Sequence, residues 1–203
     1  LFSFIILNNE IIEQQEHSGG TRLFNAANKD IYIVLSSTDT VLGKVIQKKL
    51  GVSYNHCSLS LDENLERIYS FGRKTYWHMF SAGFVHESKS SGFYKHYGKT
   101  RILVMKISVT SQQWFQIQKE LSLFTATSHQ YSYSLIGLIY CELGMPIKRK
   151  NKYFCSQFVT EVLNRSGLSL FEKPETLIRP HDYLQLPQMK IVYRGEIGAY
   201  HAA

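Results

Sequence analysis

Two side chains that could share an acyl-transfer reaction stand about a hundred positions apart in this 203-residue chain, a thiol at Cys155 and an imidazole at His56. Cys155 runs into Phe158, Val159, Val162 and Leu163. Counting back by helical steps from those apolar positions puts the thiol on the same inward face, in the first turn of a helix. Backbone N–H groups there lack helical partners, and the positive end of the helix dipole favours thiolate, the nucleophilic form. The same position equally suits a small buried hydrophobe wedged between helix and sheet. His56 lies in Asn55–Leu61 (NHCSLSL), which alternates strictly. Cys57, Leu59 and Leu61 share one face and His56, Ser58 and Ser60 the other, so Cys57 reads as packing and His56 as available to a site. A lone strand histidine is more often structural. A thiol at a helix start beside an imidazole on a neighbouring strand is what cysteine acyl transfer needs.

The elements that must position this pair follow from periodicity. Asp30–Leu35 (DIYIVL) is a dense β-branched and aromatic run, hence a strand. Val41–Leu50 has helical spacing behind a Ser/Thr/Asp turn. Asp62-Glu63-Asn64 reads as a hairpin turn, with the return strand over Leu65–Phe71. Arg73–Lys99 reads as one long irregular loop, and loops of that length are usually functional or mobile. Its neighbourhood holds Phe71, Tyr76, Trp77, Phe80, Phe84 and Phe93, which would make an apolar lid or simply pack down. Arg101–Val109 is a further strand. Helices are expected over Ser111–Thr125, Tyr133–Leu143 and Asn151–Arg165, the last closed by Gly167. A late strand falls at Lys190–Tyr193. Residues 1–28 are poorly patterned and read as a peripheral arm, with 29–203 as a single domain.

Composition bounds the function. With 44% hydrophobic and 19% charged residues the chain is globular rather than disordered. Its net charge of +7 raises nucleic acid, anionic membrane or acidic substrate as partners. The densest basic run, Lys148-Arg149-Lys150 with Lys152, lacks the interleaved aromatics of a single-strand groove, so nucleic acid is not expected. It reads as a solvated turn. Peripheral contact with an anionic membrane stays open. Cys57, Cys141 and Cys155 form no CxxC pair, and free thiols suit a reducing, cytoplasmic setting. The apolar stretch Leu1–Leu7 is too short to span a bilayer. Neither metal-ligand spacing nor a phosphate loop is written here, so no cofactor is expected. His181, after Pro180, reads as part of a surface turn, and Tyr131 and Tyr133 as core or rim aromatics, although Tyr133 could donate to an oxyanion.

Four stretches taken together resemble a bacterial branch of circularly permuted papain-like proteins in the NlpC-type superfamily, related to lecithin-retinol acyltransferase-like proteins. They are Asn55–Asp62 (NHCSLSLD), Ile68–Arg73 (IYSFGR), Gly83–Val85 (GFV) and Tyr153–Val159 (YFCSQFV). In permuted members the histidine strand precedes the cysteine helix, as here, and the resemblance runs from about Ile31 to about Tyr200. It implies an α+β fold with an antiparallel sheet or half-barrel packed against the nucleophile helix. It further implies Cys155 as nucleophile, His56 as general base, and a third polar residue on the next strand that orients the imidazole. Ser70 is the nearest match for that third role. Many relatives carry a stronger acceptor there, and Glu87 could fold over the site instead. The reaction implied is hydrolysis or acyl transfer at an amide or ester through a thioester, on a small molecule, a cell-wall peptide or a lipid-linked compound. A catalytically inactive binding module on the same fold is the alternative.

Overall fold

The computed structural model describes residues 28–37, 53–74 and 82–202. The expected arm, the helix over Val41–Leu50, and Tyr76, Trp77 and Phe80 lie outside the described residues. The described part is a mixed α+β architecture around one six-stranded antiparallel sheet. Its strands are β1 (Lys29–Ser36), β2 (His56–Ser60), β3 (Ile68–Arg73), β4 (Ala82–Glu87), β5 (Arg101–Val109) and β8 (Lys190–Glu196), in the order β4-β3-β2-β1-β5-β8. Two-residue strands β6 (Ser132–Tyr133) and β7 (Lys152–Tyr153) pair in parallel. The helices are α1 (Gly92–His96), α2 (Ser111–Ala126), α3 (Leu135–Glu142) and α4 (Cys155–Arg165), with short 3-10 turns at Glu175–Leu177 and Pro180–Gln185.

Alternation in the strands becomes two cores. Ile31, Ile33, Leu35, Cys57, Leu59 and Phe71 face α2 and α4 and pack with Phe124, Phe158, Val159 and Val162. Tyr32, Val34, Ile68, Ile102 and Val104 face the other way, under Tyr94 of α1, Ile197 and Tyr200. The serine face of β2 is therefore not a wet surface: Ser58 and Ser60 are fully buried. Burying apolar groups on both sides explains why β1 and β5, at the sheet centre, read as nearly continuous hydrophobic runs.

The long loop expected over Arg73–Lys99 is overturned within its described part. Ala82–Glu87 pairs with β3 in full register and Gly92–His96 is helical. Gly83 interrupted the strand pattern, yet its lack of a side chain is what the pairing uses, because a Cβ there would stand 3.0 Å from the Tyr131 carbonyl. Phe71 and Phe84 are core residues, and Phe93 packs on Tyr94, so none of these three forms a lid. Helices α3 and α4 also start later than expected. The residues just before each, Ser132–Tyr133 and Lys152–Tyr153, are instead taken by mutual strand pairing.

Candidate active site

Cys155 is the first residue of α4, as the apolar spacing requires, and it is 2% exposed. Three tethers hold this helix in place. The Ser156 hydroxyl donates to the Ile178 carbonyl at 2.7 Å, the hydroxyls of Thr160 and Tyr183 meet at 2.8 Å, and Glu161 binds both Lys148 (2.8 Å) and Arg165 (2.7 Å). Around the sulfur stand the backbone N–H groups of Cys57, Ser156 and Cys155 itself, together with the Tyr133 hydroxyl. Tyr133 is therefore part of the thiol's surroundings rather than a rim aromatic. The β6–β7 pairing, Tyr133 opposite Tyr153, delivers it next to the start of α4. A two-residue parallel pairing across twenty positions leaves no periodic trace in sequence.

The N–H donors and the helix start favour thiolate, but burial outweighs them and holds the Cys155 thiol above its usual value. Burial also drives the His56 imidazole down to about 4, although the residue keeps some accessible surface. The resting groups at neutral pH are a thiol and a neutral imidazole.

His56 opens β2 on the second-core face, opposite the face on which Cys57 and Cys155 pack, and its Nε2 lies 3.0 Å from the Ser70 hydroxyl. That hydroxyl donates to the Cys57 carbonyl at 2.9 Å. A hydroxyl has one proton, and a carbonyl can only accept, so toward His56 the Ser70 oxygen must itself accept. With the hydroxyl proton on the Cys57 carbonyl, the arrangement favours the Nε2–H tautomer, in which Nδ1 keeps the lone pair a general base needs. The backbone makes room for this arrangement. β2 and β3 pair only at Leu59–Tyr69 and Ser60–Ile68; one rung further on, Ser70 takes the Cys57 carbonyl that a ladder N–H would otherwise take. The Cys57 peptide unit is shared, since its C=O holds Ser70 and its N–H points to the Cys155 sulfur. Gly72 leaves space for the imidazole edge; a Cβ there would lie 3.4 Å from His56 Cε1.

The remaining candidates are placed as follows. Glu87 ends β4 on the face that carries Ser70, opposite Ile68, and acts on Tyr94; burial raises its carboxyl to about 7. It is a strand residue rather than a loop group, and it shares the second-core face with Ser70 and His56. His181, expected in a surface turn, lines a cavity of about 20 Å³ beside Cys155, together with Tyr54, Leu138, Cys141, Glu142 and Arg179. That is room for one water-sized group. Arg179 forms a wall of this cavity, ion-paired to Glu142 at 3.2 Å and donating to the Cys141 carbonyl at 3.3 Å. All three cysteines are free and buried.

Neither protein-family models, nor curated proteins, nor solved structures contain a match to this chain.

Proposed function

We propose that the chain is a cysteine-dependent hydrolase or acyltransferase of the permuted papain-like, NlpC-type kind, acting on an amide or ester bond through a thioester. The observation that carries this reading is the Ser70 proton. Its donation to the Cys57 carbonyl makes Ser70 an acceptor for His56 Nε2–H and leaves Nδ1 basic. His56 and Ser70 lie on the second-core face, whereas Cys57 and Cys155 pack on the other, so proton transfer requires the imidazole to reach the sulfur past the opened end of the β2–β3 ladder. A serine can thus do the orienting work of a stronger acceptor, although it offers no negative charge to an imidazolium.

With both groups neutral at rest, His56 takes the thiol proton as Cys155 attacks the carbonyl, rather than storing an ion pair beforehand. The oxyanion that develops next to Cys155 meets the N–H groups at the head of α4 and the Tyr133 hydroxyl. Collapse expels the amine or alcohol, which collects the proton from His56, and water or another acceptor then resolves the thioester.

The inactive-module reading has its own support in the depth of burial and the small cavity, both of which oppose ionisation and substrate entry. Iodoacetamide labelling near neutral pH separates the two. A hydrolase labels Cys155 far faster than Cys57 or Cys141, and His56→Ala removes the difference. Equal, slow labelling of all three thiols means a binding module. Panels of acyl and peptide electrophiles, compared with Cys155→Ala, then identify the substrate class.

A further inference from the structure

The helix that covers the Cys155 cavity carries an apolar face with no described partner. Leu138, Cys141 and Glu142 of α3 line the cavity. On the outer side Leu135, Ile136, Ile139 and Leu143 are 50, 48, 53 and 66% exposed. At about 100° per residue these four fall within an arc of about 100°, one continuous stripe. The chain then continues through Met145 and Ile147, both also exposed, into Lys148-Arg149-Lys150. From Leu135 to Ile147 the only charged residue is Glu142, and it is turned to Arg179. Other exposed large apolar residues, such as Phe115, Leu123 and Ile191, are spread over α2 and β8, whereas here six lie within one short segment.

We propose that this ridge, α3 with the Met145–Ile147 turn, seats the protein on an anionic lipid bilayer. The proposal stands on this surface alone and does not require Cys155 to be a nucleophile. Three observations select lipid over a protein partner. The ridge is one exposed face of a helix rather than a groove. Its exposed members are aliphatic or methionine, whereas protein interfaces concentrate aromatic and arginine anchors. A cationic turn follows it directly, on a chain of net charge +7, which complements an anionic headgroup layer. Lys148 is held by Glu161 and Glu175, so the headgroup contact falls to Arg149, Lys150 and Lys152. Eight residues span only about 12 Å, so α3 lies in the plane of the interface. Among the described residues no helix is long and apolar enough to cross a membrane.

The test uses the full chain carrying Cys155→Ala, so that binding is read without any reaction. The probe is sedimentation with vesicles of phosphatidylcholine containing about 30% phosphatidylglycerol, or none. Binding to the anionic vesicles, with Ile139→Glu/Leu143→Glu weakening it about 100-fold at unchanged thermal midpoint, is the expected result. An environment-sensitive fluorophore on Ile139→Cys shifts to the blue on vesicles, and one on Phe115→Cys does not. The proposal is overturned if the native chain ignores the vesicles, or if the double variant binds as well as the native chain. It is equally overturned if the double variant splits a dimer or loses stability, because protein would then cover the ridge.

Discussion

The two ends of β2 are built from the same alternating sequence and end up doing different things. At the Leu59–Ser60 end the strand is zipped to β3, and the Ser60 hydroxyl closes the turn on the Asp62 backbone. At the His56–Cys57 end the ladder opens, and a serine side chain replaces a backbone rung. The open end costs a backbone hydrogen bond and gains three things: a favoured tautomer, a free N–H for the Cys155 sulfur, and space beside Gly72. Candidate chemistry sits where regular pairing stops, which is where a strand can present both its backbone and its side chains.

The sharpest break in that comparison is to remove the sulfur. Cys155→Ala should abolish acyl-adduct formation seen by intact mass, a loss of at least ~10³-fold, while Cys57→Ala on the packing face should leave it within a few fold. His56→Ala should slow Cys155 labelling by about 10²–10³-fold, the usual worth of a positioned base. Because the imidazole stays neutral down to about pH 4, labelling by the native chain should show no acid limb between pH 5 and 7 that belongs to His56.

Next in size is a pair of opposing titrations on the second face. His56 is held at about 4 against 6.5 when unfolded, so the unfolded chain binds the extra proton between those values. Its share of stability is complete above pH 6.5 and is lost as pH falls toward 4. Glu87 is raised to about 7 from 4.5, so there the native chain binds the extra proton. Its share is complete below pH 4.5 and is lost as pH rises through 7. Each amounts to ~3 kcal/mol over nearly the same window, and the two slopes nearly cancel. Removing one should expose the other. Urea midpoints of Glu87→Gln should fall with acidification from pH 6.5 to 4, those of His56→Gln should fall as pH rises from 4.5 to 7, and each variant-minus-native difference isolates its group. Parallel curves for both variants would mean that neither group is buried as described.

Much of this was legible in the sequence. The alternation of Asn55–Leu61 placed Cys57 and Leu59 in one core, and the spacing behind Cys155 put the thiol at a helix start. Strand β5 and helix α2 follow their patterns almost to the residue, because local period and burial agree there. What failed was non-local. Ala82–Glu87 is a strand because β3 lies beside it, and Gly83 and the His86-Glu87 end hid that from a local reading. Tyr133 and His181 reach the Cys155 surroundings through a two-residue pairing and a 3-10 turn, neither of which has a period. The face of His56 looked wet because serines line it. Tyr94, Ile197 and Tyr200, far along the chain, are what bury it.

The smallest effect discriminates best between the open and zipped ends. Ser70→Ala leaves His56 Nε2–H and the Cys57 carbonyl without their partner in a mostly buried place, and should cost about 1–3 kcal/mol of stability. Ser60→Ala loses a comparable turn bond to Asp62 and should cost about 1 kcal/mol. Stability alone therefore barely separates them; the imidazole does. With Ser70 present, ¹⁵N chemical shifts of His56 should report a single Nε2–H tautomer, unchanged in Ser60→Ala. In Ser70→Ala the shifts should move toward a mixture, and Cys155 labelling should slow about tenfold, because part of the population then carries its proton on Nδ1 and cannot accept another. Ser70→Thr keeps the hydroxyl and should restore the single tautomer. If Ser70→Ala keeps one tautomer and the native labelling rate, the opened rung is an irregularity of the sheet and not part of a catalytic site.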